Sequence, residues 1–337
     1  MIRLNLRERV KSTGTVTPAR EAEPPDLLRP DLPAISERLQ IGVSNRYEIL
    51  PPLAIGGMAT IFLMRHRLHR GLFVAKVLHP WLAELPEFLT SFRNEAAHAA
   101  LLSGHPNIVP VVDLGEVDGV FYMVMPYVEG EDLDHLLKRV GRLERAEALM
   151  LVAQVNSALT FAESKGVLHC DLATGNIRLD TLGFYRVMDF GLSRMRGNVS
   201  SEAKWMAGTP LYTSPEQLRG EEPDIRSDLY SLGVILFEVL TGHPPFQAET
   251  LEALAEKHMA GAWKLPLDLE SDHVIAPLLR SMLTPHRQDR IRNSLTLASR
   301  LAALGCSLPE YRERPHLEWS VPPDSTSMRR RLTGMSD

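Results

Sequence analysis

The chain has 337 residues, 44% of them hydrophobic and 23% charged, with a formal net charge of −5 at neutral pH. That balance belongs to an ordinary globular protein and offers no electrostatic footprint for nucleic acid. Two cysteines, Cys170 and Cys306, are too few for a disulfide framework and fit a reducing compartment.

The opening MIRLNLRERVKSTG has no apolar core, so it is not read as a secretory signal. Residues 1–45, rich in Pro, Arg and Glu, read as a flexible leader. Short strands follow in YEILPPLAI, ATIFLMRH and GLFVAKVL, separated by Gly and His/Arg-rich turns. Phe88, Phe92, Ala96 and Ala99 then fall on one helical face. Two further strands are expected at Val109–Leu114 and Phe121–Tyr127. From Leu133 onward helices dominate, with Leu149, Val152, Val155, Leu159 and Ala162 forming one stripe and Gly166 a stop signal. Ser227 is the expected cap of a helix from Asp228 to Thr241, ended by Gly242, Pro244 and Pro245. Its apolar run, Leu229–Leu240, is broken by Ser231, Gly233 and Glu238. No stretch of about 18 or more apolar residues predicts a membrane span, and a cytoplasmic protein without a receptor-like layout is the expectation. Residues 305–337 read as a solvated basic, Pro-rich tail.

Four short motifs carry the chemistry. LAIGGMATI, residues 53–61, places closely spaced glycines between two strands, where a turn can bring its amides to phosphate oxygens. Lys76 lies within a buried-looking strand and needs a partner, and Glu95 on the next helix is the natural one. HCDLATGN, His169–Asn176, spaces Asp171 and Asn176 so that a carboxylate can take a proton while an amide oxygen binds a metal. MDFG, Met188–Gly191, offers Asp189 as a second metal ligand. Each alone could be a hairpin, a surface lysine or a polar loop. Together, in this order, they are not a chance pattern.

With these motifs, residues 47–304 resemble a eukaryotic-type Ser/Thr protein kinase domain of the bacterial kind. The resemblance implies an α+β, bilobal fold: a small β-rich lobe at 46–125, a hinge at 126–130 and a larger helical lobe at 131–304, with ATP and Mg²⁺ (or Mn²⁺) held between the lobes. It implies that Asp171 is the catalytic base, that Lys76 and Glu95 orient the phosphates, and that Asn176 and Asp189 bind metal. Nucleotide-binding positions would be Ala54, Gly56, Gly57, Ile61, Ala75, Lys76, Met125 as gatekeeper, the Pro126 carbonyl, the Val128 amide and Arg178. The activation segment would run from Gly191 past Thr209 to SPE at Ser214–Glu216. Glu216 would pair with Arg290, and Asp228 would steady the catalytic loop. Partners would be ATP and protein substrates.

The departures from that pattern bear on turnover. Ala54 and Ala59 replace glycines of the phosphate loop. Cys170 replaces an arginine that in many relatives reads a phosphorylated loop, so phosphorylation of Ser200 or Ser201 is not expected to be the main switch. Ala173 stands where Ser/Thr kinases have a lysine, and Gly175 supplies no substitute. Arg178 occupies a position that is apolar under the adenine ring in the family. The leading reading is a Ser/Thr protein kinase, with a non-catalytic pseudokinase scaffold as the alternative. A small-molecule phosphotransferase also matches H-x-D-x-x-x-x-N, but GTPLYTSPEQLRG, Asp228 and Arg290 favour a protein kinase.

Overall fold

The computed structural model describes residues 30–190, the backbone of 194–195, and residues 210–306. The described chain forms two compact units, Pro30–Gly130 and the segment from Glu131 onward.

The first unit contains helix α1 (Leu32–Val43), strands β1 (Tyr47–Ile55), β2 (Ala59–His66) and β3 (Leu72–Leu78), helices α2 (Pro80–Ala83) and α3 (Pro86–Leu101), and strands β4 (Asp113–Val117) and β5 (Val120–Pro126). The strands make one antiparallel sheet in the order β1-β2-β3-β5-β4. β1 is therefore an edge strand, and it carries Pro51 and Pro52, next to which its register with β2 shifts.

Strand alternation sorts the side chains onto two faces. Phe73, Ala75 and Val77 of β3 share a face with Phe62, Met64, Tyr122 and Val124, and all join one buried core. Lys76 lies on the opposite face, in register with Ile61 and Met123, and Val74 lies beside it in register with Met125.

Ile35, Leu39 and Val43 of α1 complete that core, and Leu39 and Val43 are fully buried. Within the leader expected over residues 1–45, Leu32–Val43 form a structural helix, and residues 1–29 lie outside the described residues. Asp31 caps it by accepting from the Ala34 amide, and Pro33 occupies its first turn, where no amide partner is needed. Gly42 permits close approach to β4, because a Cβ there would lie 2.9 Å from Val117 Cγ1. The strand expected at Val109–Leu114 begins only at Asp113; Pro110 has no amide for a ladder, although Val109 is buried.

The second unit has short strands and packed helices. Strands β6 (Gly130–Asp132), β8 (Ile177–Asp180) and β9 (Tyr185–Val187) form one sheet, and β7 (Val167–Leu168) pairs with β10 (Arg194–Met195). The helices are α4 (Leu133–Val140), α5 (Arg145–Ser164), α6 (Pro215–Leu218), α7 (Ile225–Thr241), α8 (Leu251–Ala260), α9 (Leu267–Glu270), α10 (Ile275–Met282) and α11 (Ser294–Ala303). The stripe on α5 is buried as expected. α7 is buried nearly all round, as a central helix must be. Its cap is Asp224, which accepts from the Arg226 amide, rather than Ser227. Ser227 sits in the first turn and donates to Glu216. No described helix is long and apolar enough to cross a membrane.

Candidate active site

In the first unit, Lys76 Nζ lies 2.6 Å from Glu95 Oε1, with the two side chains 16% and 8% exposed. β3 supplies the ammonium from its non-core face. α3 supplies the carboxylate from a face that also buries Phe92, Ala96 and Ala99. Ile61 and Met125 share the Lys76 face by register, and so does Ala54, which opposes Ile61. Ala75 does not. Alternation turns it into the α1 core, and the residue of β3 that shares the Lys76 face is Val74. The glycine turn is closed by the Gly56 amide donating to the Ala59 carbonyl at 2.9 Å. Neither Gly56 nor Gly57 has a positive φ, so the backbone shape does not demand glycine there. Pro126 ends β5 opposite Phe73, with Val128 just beyond the strand.

In the second unit, HCDLATGN runs between β7 and β8. The Asp228 carboxylate accepts from the His169 and Cys170 amides, each at 2.8 Å. Cys170 is held at φ 65°, a strained conformation for a side-chain-bearing residue, and its carbonyl accepts from Gln217 Nε2 at 2.8 Å. Asn176 Nδ2 donates to the Asp171 carbonyl at 2.8 Å. His169 Nε2 lies 3.0 Å from the Met188 carbonyl, and the Met188 amide donates to the Asn176 carbonyl at 2.9 Å. The His169–Asn176 loop and the segment entering Asp189 are thus bonded together. Asp189 is itself at φ 55°. Complete burial pushes the His169 imidazole down to about 4, so it is neutral at pH 7. Burial pushes the Asp228 carboxyl up to about 7 against the pull of its two amide donors.

Far apart in sequence, Arg290 Nη1 and Nη2 reach Glu216 Oε1 and Oε2 at 2.7 and 2.9 Å. Burial works to raise the Glu216 carboxyl, but Arg290 and Ser227 hold it below its ordinary range.

The sequence profile of the protein kinase domain matches residues 47–300. The chain belongs to the protein kinase domain family. Among curated relatives, serine/threonine-protein kinase PknB of Mycobacterium leprae is 41% identical over 64% of this chain and 36% of its own length. PrkC of Bacillus subtilis is 38% identical over 64% of this chain and 34% of its own. A probable serine/threonine-protein kinase of Corynebacterium efficiens is 33% identical over 86% of this chain and 46% of its own. The chain thus spans between about a third and a half of these relatives' length.

Several residues that fasten the site of this kinase domain were not foreseen. Thr174 Oγ1 lies 2.8 Å from the Tyr212 hydroxyl, which donates to Glu238 Oε2 at 2.6 Å. Gln217 follows SPE directly, and that adjacency was the available signal. Ala173 is buried and brings no cation to the loop. Arg178 directs Nη1 to Asp132 Oδ1 at 2.6 Å, linking β8 to the start of α4. Asp132 had no sequence signature. Gly191, Ser200, Ser201 and Thr209 lie outside the described residues.

Proposed function

We propose that this kinase domain transfers the γ-phosphoryl group of ATP to serine or threonine hydroxyls of protein substrates. The observation that carries the proposal is the Lys76–Glu95 pair. A buried ion pair is no more stable than apolar residues of the same volume, so an ammonium fixed on the non-core face of a strand points to a ligand charge it must meet. Lys76 then binds the α- and β-phosphates, and Glu95 sets its orientation. Met125, Pro126 and Val128 hold adenine, with Val74 lining the pocket in place of Ala75.

The donors for a cation are hard oxygens, a carboxylate on Asp189 and an amide oxygen on Asn176. Asn176 Nδ2 is already committed to the Asp171 carbonyl, which leaves that oxygen for the metal. This set fits Mg²⁺ or Mn²⁺. When bound, the ion neutralises phosphate charge. Asp171 accepts the substrate hydroxyl proton on its carboxylate, positioned by the bonds that Asp228 and Asn176 give its loop. Ala173 provides no charge at the transferring phosphoryl group, and loss of one preorganised group slows transfer by about 10²–10³. A slow enzyme follows, acting in the cytoplasm, where the free thiols of Cys170 and Cys306 stay reduced.

The test is phosphate incorporation from labelled ATP beside Asp189→Ala. Incorporation that disappears in the variant supports the reading, and incorporation that survives removes it. A second reading, nucleotide binding without turnover, is favoured by Ala173 and by the Arg178–Asp132 pair. It predicts a rise in melting temperature with Mg–ATP and no transfer to any substrate.

A further inference from the structure

Behind the glycine turn, β3 ends at Leu78 and leads into His79, which precedes α2. His79 and Thr60 are both fully buried. His79 Nε2 lies 3.1 Å from Thr60 Oγ1. The His79 amide donates to the Met58 carbonyl at 2.9 Å. Its Nδ1 makes no hydrogen bond of ordinary geometry, although the Gly57 backbone lies near enough to favour a proton on the ring. Burial outweighs that influence and pulls the imidazole below its usual range, so the His79–Thr60 bond joins two neutral groups. The Trp81 ring packs against the imidazole at 4.3 Å between centroids.

One residue thus reaches Gly57, Met58 and Thr60, the stretch that turns β1 into β2. Packing alone does not call for this. A leucine opposite a valine would fill the same space without desolvating an imidazole and a hydroxyl, one of whose nitrogens lacks a full partner. Gly57 and Met58 lie between Ala54 and Ala59, both of which stand where the family has glycine.

We propose that His79 is a positioning residue which, through Thr60 and the Met58 carbonyl, holds the glycine turn in the shape that receives ATP phosphates; this rests on the kinase reading above. Thr60→Val keeps the volume and removes the hydroxyl. His79→Leu removes the ring nitrogens, and His79→Gln returns an amide to the position of Nε2.

Hydrogen exchange on the full chain without nucleotide reads the turn directly. In Thr60→Val and His79→Leu the amides of Gly56 and residue 79, which donate to the Ala59 and Met58 carbonyls, exchange about tenfold faster relative to their intrinsic rates, while those of β3 and β5 stay as in the wild type and His79→Gln restores protection. KM for Mg–ATP rises about five- to tenfold in the first two variants, the size of one buried hydrogen bond, with kcat within about twofold. Unchanged exchange at the amides of Gly56 and residue 79 overturns the proposal. Faster exchange with unchanged KM also overturns it, because His79 would then serve the fold alone. A wild-type protein that transfers no phosphate refutes the kinase reading, and the nucleotide-free exchange still decides whether His79 holds the turn.

Discussion

Helix α1 lies before the matched kinase family segment, and its core contribution can be measured with Leu39→Ala. Leu39 is fully buried among Ile35, Val43, Phe62, Met64 and Tyr122. Burying a leucine side chain is worth about 1.5–3 kcal/mol, and the cavity left by truncation adds to that, so a loss of about 2–5 kcal/mol is expected. Gly42→Ala acts on the same interface from the other side. Its new Cβ would lie 2.9 Å from Val117 Cγ1, and such overpacking costs about 1–3 kcal/mol. Ile41→Ala is the control, because Ile41 is 62% exposed and its loss stays within about 0.5 kcal/mol. Urea unfolding with equal slopes gives the three values. If Leu39→Ala unfolds at the same urea concentration as Ile41→Ala, α1 is not part of the core.

Three further outcomes follow from the second unit. Arg290→Ala strands the fully buried Glu216 carboxylate and should lower stability by about 3–5 kcal/mol in urea titration; a loss under 1 kcal/mol would contradict the buried pairing. Asp228→Asn leaves one acceptor oxygen for two loop amides, so stability should fall by about 1–3 kcal/mol and phosphate transfer should slow, with unchanged transfer arguing against its role in the catalytic loop. Burial pushes the His258 imidazole down to about 4. Its contribution is therefore complete above about pH 6.5 and is lost as pH falls toward 4. His258→Leu should shrink the drop in stability between pH 7 and pH 5 by about 2 kcal/mol, and an unaltered pH profile would exclude His258 as a source of acid sensitivity.

Much of the site was legible because its chemistry is local or carried by motif. Lys76 is a charge in an apolar strand, and Glu95 on the following helix, on the same face as Phe92, Ala96 and Ala99, answers it. Glu216 and Arg290, 74 positions apart, were legible through family resemblance alone, since no spacing rule joins them. Other features failed for physical reasons. Asp31, Pro33 and the Ile35–Leu39–Val43 stripe do spell a capped amphipathic helix, but Pro and charge dominate the surrounding composition and hid it. Ala75 was assigned to the nucleotide because it adjoins Lys76, whereas neighbours along a strand point to opposite faces. Ser227 is a good capping residue by type, but Asp224 beside Pro223 took that role and freed Ser227 to bond Glu216. The Arg178–Asp132 pair depends on β8 lying beside β6, a pairing that no local pattern encodes.

The prolines of β1 also limit assembly. A rim strand ordinarily exposes a row of amide hydrogens on which a foreign strand can zip. Successive amides of a strand face opposite sides, so of the adjacent Pro51 and Pro52 one removes a donor from that row, on a strand whose ladder is already irregular there. Lengthening of the sheet by a second polypeptide, whether as a fibril seed or as a grafted ligand strand, is disfavoured along that border.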